Sequence, residues 1–431
     1  MRYNVRKEYY GAIVYDKDND LYCMIDEEFY DALGGICECG TAAYDEDTIS
    51  FLTEEGFIKD GKVNYRLIDT GNVVPGVQSA PSRVHFYYTS SCNLNCAHCF
   101  TKQNVHKVEL TYDQKIEMLD QMVDLGIGEI LIGGGEPFTK SDFPDFVEAC
   151  IARDISTKVF TNGLLLDNDE LISRMSSWKL RYMAISFDGA NDDDYAYVRG
   201  VSGLETIRTV AKKIKSSCSF ELVAQVTVNH QNFDKATQIV DRAFEFGFDR
   251  LKVRPIKPGG NVLLNPELFI SAEQYSQFLV EAQRRYLEKY CESSFRVDFG
   301  WGDNRLFYNK ESQAIEVLDV VYPYEDYGCL AAKLNIIFDS AGYAITCGFL
   351  PKELRSTDED CLAKKTIKDI WSNGVMFKKL RNQPGNLTCR SCEYYEVCRG
   401  GCIARNLFVG KDINDVDPWC IKKYFPLKVI R

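Results

Sequence analysis

Cys92, Cys96 and Cys99 follow one another at x3 and x2 spacing, directly after the apolar run Val84–Thr89. Three thiolates on so tight a loop can hold three irons of a 4Fe–4S cluster and leave the fourth iron open. A structural zinc site is the alternative, but it asks for four closed ligands and a C-x2-C knuckle. The tail holds a second concentration of thiols. It reads Cys329-x12-Gly342-x4-Cys347, then Cys389-x2-Cys392-x5-Cys398-x3-Cys402, then Cys420. The chain has 17 cysteines, an odd number crowded into two places, which fits metal ligation better than disulfides. The start, MRYNVRKEYY, lacks the apolar stretch of a secretory signal, so a reducing, cytoplasmic setting is expected.

Positioning such a loop takes a scaffold. Strand patterns at Val84–Thr89, Glu129–Ile132, Thr157–Phe160, Tyr182–Phe187, Leu222–Val228 and Leu251–Arg254 alternate with helical ones. Capping boxes open two of the helices, Thr111 with Gln114 and Ser271 with Gln274. Six such repeats over residues 83–310 predict an α/β fold with a parallel sheet, open or curled into a partial (β/α)6 barrel. Either way the chemistry belongs at the C-terminal strand ends. Those ends carry the Cys92 loop, Gly134-Gly135-Glu136-Pro137, Thr161-Asn162-Gly163, then Ser186 and Asp188. Gln225, Thr227 and Asn229 end the fifth strand and Arg254 the sixth, while Arg199 stands in the segment YVRG. The Gly134 segment could be a plain turn or a phosphate loop, but Glu136 would repel phosphate.

The flanks read differently. Residues 1–75 suggest a small α+β unit: a hairpin around the KDND turn, and a helix with Ile25, Phe29 and Leu33 on one face, stopped at Gly34-Gly35. A second helix over about 45–55 and a hairpin at Asp60-Gly61 complete a winged-helix-like pattern. The Gly-, Pro- and Ser-rich stretch from Gly71 to Ser82 reads as a linker, placed between the units at residues 76–82. Residues 320–431 are irregular and cysteine-rich, so metal ligation is expected to supply much of their stability. Among the other cysteines, Cys150 and Cys218 fall in helical patterns and read as small apolar residues. Cys37-x-Cys39 has no partner pair and receives no role.

At 431 residues the chain suggests roughly three units of about 150. Hydrophobic residues at 45% and aromatics at 13% can fill several cores, which excludes disorder. No apolar run is long enough for a membrane span. The net charge of -12, of which residues 1–75 hold -9, disfavours nucleic acid, whose phosphates need a basic face.

The three-cysteine loop, the GGEP segment after the second strand and AISFDG in the fourth resemble the radical SAM superfamily. That resemblance implies S-adenosylmethionine (SAM) as cofactor, with Gly134, Gly135, Glu136, Ser186, Asp188, Arg199 and Gln225 lining its site. Arg199 looks like the arginine that salt-bridges the SAM carboxylate. One departure is His98, where the family often has an aromatic residue. The tail is similar to the seven-cysteine SPASM pattern, which implies two auxiliary 4Fe–4S clusters, three in all. Carried over, Cys389, Cys392, Cys398 and Cys420 would ligate the outer one, and Cys329, Cys347 and Cys402 the inner one. Cys361 could complete the inner set, or an iron there stays open. The acidic N-terminal unit resembles the leader-recognition domain of radical SAM peptide maturases, in which an exposed strand edge pairs with an extended peptide.

The resemblance therefore implies a maturase of a ribosomally made precursor peptide, fed by an electron donor such as flavodoxin or ferredoxin. Its chemistry would be SAM cleavage to a 5′-deoxyadenosyl radical that abstracts hydrogen from the peptide. The expected product is a thioether crosslink, with carbon–carbon or carbon–oxygen crosslinking as the alternative. Anaerobic sulfatase maturation is disfavoured by Asn335, where that group usually has a further cysteine. A non-catalytic iron–sulfur electron carrier would have no use for a SAM pocket.

Overall fold

The computed structural model describes residues 1–71, 73–104, 108–301, 304–309, 314–318, 331–382, 386–393, 395–398, 400–424 and 428–430. Residues 1–71 fold around their own sheet. Its strands are β1 (Tyr3–Glu8), β2 (Gly11–Asp16) and β3 (Leu21–Ile25), followed by α1 (Glu27–Cys39) and α2 (Glu46–Glu54). A small hairpin, β4 (Ile58–Lys59) and β5 (Lys62–Val63), leads to β6 (Tyr65–Ile68). The sheet order is β3-β2-β1-β6, with β1 and β6 parallel, so β3 is an edge strand. Val5, Ala12, Val14, Leu33, Ile36, Leu52 and Tyr65 form its core.

One expectation about this unit fails. Gly34-Gly35 does not stop the helix, which runs on to Cys39 and ends at Gly40 with φ 78°. Ile36, one turn beyond, is buried and rewards continuation, whereas a Cβ at Gly35 would lie 2.0 Å from the Tyr44 hydroxyl. Gly35 therefore serves close packing. In the stretch expected as a linker, Gln78, Ser79, Ala80 and Ser82 are buried. The Arg6 guanidinium, itself buried, donates to the carbonyls of Ala80 at 2.8 Å and Pro81 at 3.0 Å. Trp371 Nε1 donates to Gln78 O at 2.7 Å.

The sheet behind the site is built in chain order. It comprises β7 (Arg83–Thr89), α3 (Tyr112–Asp124), β8 (Glu129–Gly134), α4 (Phe143–Ala152), β9 (Ser156–Thr161) and α5 (Asp169–Met175). It continues through β10 (Tyr182–Ser186), α6 (Asp192–Arg199), α7 (Leu204–Ser217), β11 (Glu221–Val228), α8 (Ala236–Glu245) and β12 (Arg250–Pro255). All six strands are parallel and neighbour one another in sequence order. Sequential order puts every right-handed crossover on one face, the winding of a barrel rather than of a doubly wound sheet. Side chains confirm it: Val84, Phe86, Ile130, Val159, Ile185, Ala224 and Val253 all pack into the large helix-side core. Both expected capping boxes are present, at Thr111 and Ser271, the latter opening α9 (Ala272–Lys289).

The sheet then extends at both edges. Past β12 come β13 (Arg296–Trp301), β14 (Asn304–Asn309) and β15 (Ala314–Leu318). Beside β7 lie β16 (Asn335–Phe338) and β17 (Ala344–Ile345). Short helices α10 (Lys352–Arg355), α11 (Ile367–Asn373), α12 (Val375–Arg381), α13 (Tyr395–Cys398) and α14 (Ile403–Phe408) carry the tail, and β18 (Lys428–Ile430) pairs with β15. The β2–β3 turn reaches the N-terminal end of the barrel. There Asp20 meets Lys158 of β9 at 2.7 Å and Arg181 at 3.4 Å, and Tyr15 packs where a Cβ on Gly128 would sit, 2.1 Å from its ring. Among the described residues, no helix is long and apolar enough to cross a membrane.

Candidate active site

The Cys92–Cys99 loop leaves the C-terminal end of β7 and is held from four directions. At its root, Glu109 accepts from Ser90 N at 2.7 Å, Ser90 Oγ at 2.9 Å and Thr89 Oγ1 at 2.9 Å, and pairs with Lys140 at 3.1 Å. Burial alone would raise the Glu109 carboxyl, but these donors outweigh it and hold it down at about 2. From β8, Gly135 N donates to Thr89 O at 2.7 Å and Glu136 N to Ser91 O at 2.8 Å. From the segment after β12, Asn261 N donates to Cys99 O at 2.8 Å and Asn261 Nδ2 to Cys96 O at 3.0 Å. Asn265 Nδ2 reaches Ala97 O at 3.1 Å. From the end of α6, Val198 O receives Ala97 N at 2.8 Å.

With its carbonyls so occupied, the loop presents its thiols. Cys96 is buried, Cys92 and Cys99 partly so. Burial pushes the Cys92 and Cys96 thiols up, with Cys96 and Cys99 adding to the rise at Cys92 and Cys99 to that at Cys96. Opposing that, Arg199 brings Nη1 to 3.6 Å from Cys96 Sγ. Cys99 Sγ lies 3.2 Å from Thr101 Oγ1, whose hydroxyl reaches Gly134 O. Among the described residues no group of three His, Cys, Asp or Glu side chains is gathered as a single metal ion would require. The donor set itself, three thiols with a guanidinium to favour thiolate, suits an iron–sulfur cluster. The glycines fit the same picture. A Cβ on Gly135 would stand 2.1 Å from Ser91 O, and one on Gly260 2.3 Å from Cys99 O, so both must be bare for the loop to seat.

The remaining expected residues divide into two groups. Ser186 and Gln225 are neighbours in register on β10 and β11, partly exposed, on the face opposite the helix-side core. Thr227 shares that face. The others are packed into the wall of the site. Glu136 is fully buried: Oε1 accepts from Thr161 Oγ1 at 2.8 Å and Oε2 from Asn162 N at 2.7 Å, so its side chain ties β8 to β9. Asp188 is also fully buried. Its Oδ1 accepts from Thr227 N at 2.7 Å, and its Oδ2 receives both Nε and Nη2 of Arg199. Arg199 is thus held by Asp188 against Cys96. Asn229 is buried in a turn, donating to Thr227 O at 2.9 Å. His98 has Nε2 3.5 Å from Asp188 Oδ2, and burial with the Arg199 charge pushes its imidazolium down to about 4. Asn162 Nδ2 bonds Asn93 Oδ1 at 2.7 Å, fastening the third strand end to the loop.

In the tail, burial raises the Cys389 thiol, and Cys420 and Cys392 raise it further. Burial likewise pushes Cys398 up to about 12 against a lowering Gly400 N–H, with Cys420 and Cys389 adding to the rise. Cys389, Cys392, Cys398 and Cys420 therefore share one neighbourhood. Cys402 N donates to Asp417 Oδ2 at 2.6 Å, and Asp417 also receives Arg405. Cys347 lies near Tyr87 on β7, whose phenol also feels Cys99. Cys361 is buried on a bridge with Tyr343. Cys329 lies outside the described residues.

Sequence reading missed Glu109, Asn261 and Asn265. Glu109 and Asn261 stood in segments without a motif, and only a Gly-Gly before Asn261 marked a close approach.

Residues 86–256 match the family model of the Radical SAM superfamily. The AdoMet-dependent heme synthase of Methanosarcina barkeri is 27% identical over 352 residues, 80% of this chain and 97% of that protein. The mycofactocin maturase MftC of Mycolicibacterium smegmatis is 25% identical over 345 residues, 80% of this chain and 83% of its own length. Among solved structures, Streptococcus suis SuiB bound to its precursor peptide SuiA superposes with a TM-score of 0.74 at 18% identity, covering 97% of this chain and 98% of SuiB. The matched span begins inside β7 and ends just past β12, the same strands and loops that build the site, so the similarity to the radical SAM superfamily rests on residues 86–256.

Proposed function

We propose that the chain matures a ribosomally made precursor peptide by crosslinking it, the product being a thioether between a cysteine sulfur and a carbon of another residue. The observation that carries this reading is the N-terminal unit. A superposition covering 97% of this chain must include most of residues 1–71, and the protein it matches was solved with its precursor peptide. In that unit β3 is an edge strand with Leu21 and Met24 exposed, next to the acidic first turn of α1. An unpaired strand edge with apolar side chains suits an extended leader, and the acidic turn suits one carrying Lys or Arg.

The family implies SAM and a 4Fe–4S cluster. Cys92, Cys96 and Cys99 would hold the cluster, with Gly134, Gly135, Ser186 and Gln225 on the side of SAM. When bound, the pair supplies a 5′-deoxyadenosyl radical for hydrogen abstraction. The chain's own part is positional. Asp188 aims Arg199 at Cys96 and favours the thiolate there, and Glu109, Asn261 and Asn265 keep the loop from shifting. We extend the proposal to two auxiliary clusters, an outer one on Cys389, Cys392, Cys398 and Cys420 and an inner one on Cys329, Cys347 and Cys402. The inner set has three assured ligands, which leaves room for a substrate thiolate unless Cys361 closes it. A flavodoxin or ferredoxin would serve as electron donor.

The second reading, haem synthesis, draws on the Methanosarcina relative, which matches 80% of this chain. One experiment separates them. The reconstituted enzyme, with SAM and reductant, is given the short peptide encoded beside its gene. Crosslinking is expected as loss of two hydrogen atoms by mass spectrometry, with the cysteine no longer alkylable. An unmodified peptide, with SAM cleavage responding to a porphyrin instead, would overturn the peptide reading.

A further inference from the structure

We propose that the lumen of the half-barrel holds a carboxylate subsite in which Lys252 and Arg254 of β12 receive an acidic group of the substrate. This rests on the peptide-maturation reading and deepens it by naming a substrate class.

The lumen is open to solvent. On β7, β11 and β12 the residues facing the helices are sealed, while those facing inward are only partly buried. The inner face carries His85 and Tyr87, Phe160, Tyr182 and Ser186, Gln225 and Thr227, then Lys252 and Arg254. Register sets their heights. Ser186, Gln225 and Lys252 lie in one layer across three strands, and Thr227 with Arg254 in the next layer toward the mouth.

Charge balance separates the two ends of this lumen. At the N-terminal end each cation has its anions: Lys158 pairs with Glu129 at 2.5 Å and Asp20 at 2.7 Å, and Arg250 with Glu221 at 2.6 Å and Asp298 at 2.9 Å. Nearer the mouth the balance fails. Arg254 donates to Val253 O at 2.9 Å, Lys252 donates to Tyr182 OH at 3.3 Å, and neither forms an ion pair among the described residues. Gly300 on β13 leaves bare the space that the Arg254 guanidinium enters, since a Cβ there would be 2.2 Å from Nη1. The nearest carboxylate, Asp298 in register with Lys252 on β13, is held by Arg250 at 2.9 Å, so the two cations have no ion pair of their own and repel one another. Burial, then Arg254 and Arg250, push the Lys252 ammonium well below its ordinary value. His85, facing the same lumen from β7 and held neutral, has a buried Nε2 with no partner. An anion between these groups would supply what each lacks, and the rings of Phe160 and Tyr182, 6.0 and 5.3 Å from Lys252 Nζ, would flank its aliphatic stem. Asp20 occupies the N-terminal end, so such a group enters past the cysteine loop. An aspartate or glutamate side chain, or a peptide C-terminus, fits this description.

The methionine carboxylate of SAM is the other source of the same chemistry, and the test separates the two. Holoenzyme saturated with SAM is dialysed against N-acetyl-glutamate methylamide and, separately, N-acetyl-glutamine methylamide. The glutamyl probe should bind at least about tenfold tighter, the worth of one charge-assisted hydrogen bond. Lys252→Met and Arg254→Met should each bring that ratio toward one, and Lys252→Glu should transfer the preference to the matching lysyl probe. Equal binding of the two probes by wild type overturns the subsite, and this comparison needs no variant to fold. A preference that survives both substitutions overturns it too. So does a fall in SAM affinity as large as the fall for the glutamyl probe, which assigns the cations to SAM. Failure of the peptide reading looks different, because an uncrosslinked precursor leaves the probe ratio standing.

Discussion

Replacing Glu109 with Gln preserves shape at the root of the cysteine loop and removes one charge. The carboxylate accepts from Ser90 N, Ser90 Oγ and Thr89 Oγ1 and pairs with Lys140. Its drop from an ordinary 4.5 to about 2 corresponds to about 3.4 kcal/mol favouring the ionised form. Lys140 is 37% exposed, so solvent screens part of this and about 2 kcal/mol is a fairer figure. That is roughly a thirtyfold loss in the equilibrium holding the loop root closed. Amide hydrogen exchange of Ser90 and Ser91 reads it directly, with protection falling by that factor in Glu109→Gln and further in Glu109→Ala. The sign with pH follows from a depressed carboxyl: its stabilisation is complete above about 4.5 and is lost as pH falls toward about 2. The deficit of the variant should therefore be equal at about pH 6 and about pH 8. Unchanged exchange at Ser90, or a deficit that varies between those two pH values, would refute the anchoring role.

Three other substitutions probe the same architecture. Asp188→Asn should strand the buried Arg199 charge and cost about 3–5 kcal/mol, visible as a lowered melting temperature, whereas Asp188→Leu combined with Arg199→Met should recover most of it. Gly135→Ala should loosen the loop and speed iron loss to a chelator, because its Cβ would meet Ser91 O at 2.1 Å; Gly133→Ala, with 3.5 Å to spare, is the control that should not. Met24→Asp on the exposed β3 edge should weaken leader-peptide binding by about tenfold, the worth of one buried apolar side chain, with circular dichroism unchanged. It is a cleaner test than deleting residues 1–75, since Arg6, Tyr15 and Asp20 are built into the barrel's base.

What could be read from the chain alone was whatever is encoded locally. Period-two apolar runs placed all six barrel strands within a residue or two, and Thr111 and Ser271 announced their helices, because pleat, helical turn and cap are properties of a few consecutive residues. The Cys92-Cys96-Cys99 spacing was legible for the same reason. Where a residue's role depends on a partner far along the chain, the sequence was silent or misleading. Gly34-Gly35 signals a helix stop until Tyr44 and Ile36 are seen against it. A stretch rich in Gly, Pro and Ser looks solvated until Arg6 and Trp371 bury it. Glu136 and Asp188 sit at strand ends, and only strand pairing shows that each carboxylate is buried and finds its donors on Thr161, Asn162, Thr227 and Arg199. Lys252 and Arg254 alternate along β12 as solvated residues do on any edge. Only the curl of the sheet brings them into a shared lumen, and only register decides that Lys158 and Arg250 meet carboxylates there while these two do not.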